Sequence, residues 1–248
     1  MSRRARLTIE KPPEVLSALN VRKALNAARD PEKAILHERF FKTKPGGYAQ
    51  NDHFIGVTVP KQRKIAKQFT ALSLCEVQKL LTSKVHEERL TALLILVGQF
   101  EHGDPLRKKQ IVDLYVKHAV CVNNWDLVDS SAPYILGQWL LNKDRRILYR
   151  LAKSKRLFDR RIAIIATYAF IRAGDASDTL RLAELLLSDE EDLMHKAVGW
   201  MLREVEKRVD VELLREFLET NASRMPRTML RYAIEHLTER ERKKWLGK

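Results

Sequence analysis

Residues 122–132 read VNNWDLVDSSA, and within them Trp125 and Asp129 stand four apart. On a helix that spacing puts an indole and a carboxylate on one side. A second indole, Trp200, falls in HKAVGWMLRE (195–204), four residues after Lys196 and directly after Gly199. Indole faces attract cations, and a carboxylate stabilises positive charge as it develops. Asp129 is therefore either a carboxylate that performs chemistry or an ordinary polar residue paired with Arg161, and the spacing leaves the two readings level. Asp126 reads as structural: it lies in a first helical turn behind Asn123 or Asn124 as N-cap, where negative charge suits the helix dipole. Trp139 and Trp245 have no such context and read as packing.

These residues belong to a chain built almost wholly of helical periodicity. Helices are expected over 14–28, 31–42, 60–70, 74–83, 86–100, 105–120, 124–141, 144–155, 158–173, 178–188, 191–207, 211–220, 226–237 and 239–246, with Gly and Pro between them. One long connector, KTKPGGYAQNDHFIGVTVP (42–60), separates two of them, and its VTV is too short to predict a strand. Helical stretches recur at near-constant intervals. Placing Arg89, Trp125, Arg161, Lys196 and Arg231 in register gives steps of 36, 36, 35 and 35 residues. Helix pairs at that period predict an all-α solenoid of HEAT-like pairs with a concave face. The expected organisation is a basic flexible arm over 1–13 and one solenoid domain over 14–248.

The same register collects a surface. Stepping four residues from the repeat position yields Leu93, Asp129, Ile165, Trp200 and Glu235, and stepping eleven yields Phe100, Leu136, Arg172, Lys207 and Arg242; with regular stacking one surface carries Trp125, Asp129, Arg161, Arg172, Lys196, Trp200, Lys207, Arg231 and Arg242. A core face would be apolar at those positions; this one is a basic stripe with two tryptophans and a single acid at its centre. It is either a solvated outer surface or a track for a polyanion. The chain has 46 Lys and Arg against 32 Asp and Glu, a formal charge of +14, which favours nucleic acid first and an acidic membrane surface second. No stretch has the apolar length of a membrane span. Cys75 and Cys121 are isolated and the histidines scattered, so neither a disulfide framework nor a metal site is expected, and a reducing cytoplasm fits. Walker-type, HExxH and GxSxG signatures are absent.

Taken together, NNWDLVDSSAP (123–133), DRRIAI (159–164), HKAVGWMLRE (195–204) and HFIGVTVPKQRKIAK (53–67) resemble the bacterial DNA alkylation repair proteins of the AlkD type, over about residues 31–237. The resemblance implies a DNA glycosylase of base excision repair that removes cationic N3- and N7-alkylated purines without metal or cofactor. It matches Trp125, Asp129 and Trp200 to the family's active-site aromatics and carboxylate. It matches Arg161 and Arg203 to positions that hold the DNA backbone, with Lys196 and Arg231 beside them on the stripe. The segment from Lys42 to Asp52 looks longer than in compact members of that family. Double-stranded DNA is the expected partner and a monomer the expected state, cytoplasmic and nucleoid-associated when bound to DNA.

What that chemistry needs is present on the stripe. Departure of a cationic purine builds oxocarbenium character on the sugar, which a carboxylate stabilises while positioning a water. Each indole adds roughly 0.5–2 kcal/mol of attraction for a cationic base or sugar. No lysine sits next to Asp129, so hydrolysis to an abasic site is expected rather than a Schiff-base lyase step. The competing expectations are a non-catalytic DNA-binding protein and a scaffold for an acidic partner.

Overall fold

In a computed structural model, residues 16–50 and 52–247 are described. The expected arm over 1–13 lies outside them. The helices are α1 (Ala18–Ala27), α2 (Pro31–Phe40), α3 (Val59–Gln68), α4 (Leu74–Leu81), α5 (His86–His102), α6 (Pro105–Lys117), α7 (Trp125–Asp129), α8 (Gln138–Leu140), α9 (Arg146–Ala152), α10 (Leu157–Ala166), α11 (Tyr168–Arg172), α12 (Ser177–Leu185), α13 (Asp192–Arg208), α14 (Val211–Asn221), α15 (Arg227–Ala233) and α16 (Glu239–Leu246). The fold is the expected all-α solenoid. Among the described residues the one extended pairing is a single bridge from His53 to Val85. No described helix is long and apolar enough to cross a membrane.

Three helices form the spine. α5 packs on α3 and α4, α10 on α7 and α9, and α13 on α10, α14 and α15. Their apolar residues merge into one core that runs from Val21 through Leu93, Ile135, Ile164 and Val198 to Met229. Burial of this kind, roughly 1.5–3 kcal/mol per large apolar side chain, fixes the stack. Helix starts follow local chemistry. Asp30, Ser73, Asp104 and Asn124 accept backbone N–H groups at the openings of α2, α4, α6 and α7.

Two expected helices are broken. The stretch expected over 124–141 divides into α7, a π-helical turn over Pro133–Gly137, and α8. Pro133 has no N–H to give to the carbonyl of Asp129, so α7 ends there. Gly137 then donates five residues back to Ala132 at 2.9 Å. A Cβ on Gly137 would overlap the carbonyl oxygen of Ala166 and lie 2.9 Å from the Ala169 methyl. The stretch expected over 158–173 breaks opposite this contact, at Thr167, whose hydroxyl donates to the Ile164 carbonyl at 2.6 Å. Apolar periodicity shows neither break: the first starts at a proline inside an otherwise helical pattern, and the second lies where two helices cross at close range.

Candidate active-site cleft

α7 delivers the first two side chains. Asn124 accepts the Trp125 N–H at 2.8 Å and starts the helix, and Asp129 ends it. Asp126 proves structural: one oxygen accepts the Leu127 N–H at 2.9 Å and the other meets His86 Nε2 at 2.8 Å. α13 runs unbroken and presents Lys196, Trp200 and Arg203 along one flank. Gly199 lets α15 approach that flank, since a Cβ there would stand 2.5 Å from both the Met229 carbonyl and the Tyr232 Cβ.

The result is an open cleft of about 620 Å³ lined by Trp125, Asp129, Arg161, Lys196, Trp200 and Arg203, joined by Phe40, Lys42, Tyr48, Asp192 and Tyr232. Both tryptophans are half-buried. Trp125 donates from Nε1 to the Tyr48 hydroxyl at 3.1 Å and stacks on Phe41 at 5.4 Å. Trp200 donates to Glu204 at 3.1 Å and lies 6.2 Å from the Tyr168 ring. Trp245 is buried, and Trp139 packs against the core beneath the Lys143 ammonium, 4.0 Å away.

Asp129 is held by Arg161 through two hydrogen bonds, Nε to Oδ1 at 2.9 Å and Nη2 to Oδ2 at 2.8 Å. The ion pair left open by the spacing is thus present, and Asp129 still faces the cleft. Burial lifts its carboxyl above the ordinary carboxylate range, with Asp126 adding to the lift and Arg161 opposing it. Arg161 itself is only 5% exposed, and its third nitrogen donates to the Leu193 carbonyl. Lys196 pairs with Asp192 at 2.7 Å, and Arg203 pairs with Glu235. Hydrogen bonding to Asp192 raises the Lys196 ammonium against the opposing effect of burial.

The register misplaces four cations. Arg172, Lys207, Arg231 and Arg242 are exposed and do not line the cleft. Arg172 follows the break at Thr167, so the eleven-residue step loses its face. Lys207 keeps the face but sits three turns, about 16 Å, along α13 from Lys196. On α15 it is Tyr232, not Arg231, that lines the cleft. Arg242 sits on α16, a separate helix beyond the last turn of α15.

Sequence reasoning missed the wall contributed by the 41–57 connector. Glu87 accepts the N–H groups of Ile55, Gly56 and Val57 at 3.1, 2.8 and 3.3 Å. Gly56 has φ +79°, and a Cβ there would overlap the Asp30 carbonyl, so only glycine fits. Asp52 is buried and accepts from Arg89 Nη2 at 2.6 Å while facing His86 Nδ1 at 3.0 Å. Burial opposes the imidazolium of His86, but Asp126 and Asp52 on its two nitrogens outweigh it and raise its pKa. Its ring stacks on Phe54 at 4.5 Å. Behind Trp125 these residues enclose a second, apolar cavity of about 410 Å³, which shares Phe40, Trp125 and Asp129 with the first. The aromatic residues and glycines of the connector were the available signal, but nothing local paired Tyr48 with a residue 77 positions away.

Comparison with known proteins agrees with this architecture. A solved structure described as a "Predicted DNA alkylation repair enzyme from Enterococcus faecalis" aligns with a TM-score of 0.66, covering 85% of this chain and 97% of that one at 15% identity, a likeness of fold. No curated protein matches. The family model described as DNA alkylation repair enzyme matches residues 21–237, so this chain belongs to that family.

Proposed function

We propose that the protein is a monofunctional DNA glycosylase that hydrolyses the N-glycosidic bond of cationic N3- and N7-alkylated purines in duplex DNA. The observation that carries this reading is the cleft whose lining includes the Asp129 carboxylate together with the indoles of Trp125 and Trp200. The N–C1′ bond breaks with its electron pair passing to the base, whose positive charge it cancels. Asp129 stabilises the cationic sugar, and water adds its oxygen to C1′ and releases a proton. The indoles favour cationic over neutral bases. Arg161 holds the carboxylate in place, and Lys196 and Arg203 face the backbone. A lysine that attacks the abasic sugar needs a depressed pKa; that of Lys196 is raised by Asp192, which supports hydrolysis alone.

Release of free 7-methylguanine or 3-methyladenine from duplex DNA tests the reading, and release no faster than the spontaneous rate overturns it. One observation favours a second reading, a non-catalytic DNA-binding protein: Asp129 already has a full partner in Arg161. That reading expects no base release, and DNA affinity that Asp129→Asn leaves nearly unchanged. The glycosylase reading expects base release to fall about 10²–10³-fold, the scale of losing one charge-stabilising group.

A further inference from the structure

The floor of the cleft supplies little net charge. Arg161, Lys196 and Arg203 are each paired with a carboxylate, and Glu191 adds a further acid. Affinity for a polyanion requires cations that are not already neutralised. Such cations stand on the opposite bank, where α2 ends. Arg39, Lys42 and Lys44 are exposed, and no carboxylate lies within ion-pair distance of any of them among the described residues. They surround a shallow depression whose one acid is Glu38, and Lys42 also lines the main cleft.

The backbone there adds a second observation. The N–H of Lys42 donates to Arg39 at 3.3 Å and that of Thr43 to Glu38 at 3.1 Å, which closes α2 in a Schellman turn. That turn needs a left-handed residue, normally glycine. Lys42 occupies it at φ +55°, the one non-glycine with positive φ among the described residues. A side chain retained in a glycine position against backbone preference points to a use for its ammonium. Between the cations, Phe40 is 64% exposed, yet its ring is fixed edge-on against Phe41 at 5.0 Å and Trp125 at 5.9 Å.

We infer that the turn Arg39–Lys44 is the second bank of the DNA site: its three cations hold backbone phosphates of the duplex, and Phe40 packs into the groove beside the base whose bond is cleaved. This rests on duplex DNA being the substrate, and its test does not require turnover. Binding of undamaged duplex is measured by fluorescence anisotropy across a salt series. Lys42→Gly suits the turn at least as well as lysine, so its melting temperature should hold or rise while the salt slope falls by about 0.9. The triple variant Arg39→Ala, Lys42→Gly, Lys44→Ala should lose about 2.7 from the slope. A duplex with 2-aminopurine beside the lesion should brighten on binding the protein and stay dim with Phe40→Ala. An unchanged slope in the triple variant overturns the phosphate role, and equal 2-aminopurine signals with and without the Phe40 ring overturn the groove contact. Failure of base release by the unaltered protein, with these binding results intact, would instead overturn the glycosylase reading.

Discussion

Arg161 grips Asp129 side-on, with Nε and Nη2 each donating to one carboxylate oxygen, and its remaining nitrogen is taken by the Leu193 carbonyl. A guanidinium so engaged is a positioning group. Arg161→Ala leaves a half-buried carboxylate without its partner, and loss of about 1–3 kcal/mol of stability is expected in denaturant unfolding. The salt slope of DNA binding should change by well under one unit. Intact stability with a slope reduced by a full unit would make Arg161 a phosphate ligand instead.

Because burial lifts the Asp129 carboxyl, the rate should respond to acid earlier than an ordinary carboxylate would require. On the glycosylase reading the active form is the carboxylate. Base release should therefore be full well above the ordinary range near 4 and fall as pH drops through the raised value. The residual activity of Asp129→Asn should show no such limb. An acid limb at or below pH 4 in the unaltered enzyme would contradict the assignment.

His86 links the connector to α7 through Asp52 and Asp126. Its folded pKa is raised, so its stabilising contribution is complete below the free imidazole value of about 6.5 and is lost as pH rises through the folded value. Asp52, lowered by His86 and Arg89 against its burial, behaves oppositely: its contribution is present above about 4 and lost in acid. Unfolding free energy should thus peak between these limits and decline on the alkaline side. In His86→Gln the alkaline decline should disappear.

Gly199 sets the distance between α13 and α15. In Gly199→Ala the methyl meets the Met229 carbonyl and the Tyr232 Cβ at 2.5 Å, with rigid backbone on one side. A loss of about 1–3 kcal/mol is expected, or roughly 2–4 °C of melting temperature per kcal/mol. Tyr232 should move away from Trp200, and indole fluorescence should report it.

Much of this was legible in the chain. Apolar periodicity located the helices, and the register of 35 and 36 residues brought Trp125, Asp129, Arg161, Lys196 and Trp200 together. Repeat spacing conveys position only while helices run straight and stack alike. It failed at Arg172, beyond the Thr167 break, and at Arg231, whose neighbour Tyr232 lines the cleft instead. It was silent on Phe40, which ends α2, on Tyr48, which reaches the cleft from an irregular connector through a contact distant in sequence, and on Asp52, which braces that connector. The spacing also gave no sign that the cleft's cations are internally compensated: Asp192, the partner of Lys196, lies off the register, and Glu235, which lies on it, pairs with Arg203, which does not.

The connector is moored at both ends. Phe41 stacks on Phe54 and Trp125, and Glu87 gathers three consecutive amides at residues 55–57. Between these anchors Tyr48 and Asp52 are tied to Trp125 and Arg89, whereas the exposed residues 44–46 are free to lengthen or change charge without disturbing the floor beneath them. Substrate preference in this chain can thus evolve in a replaceable span, independently of the carboxylate it overhangs.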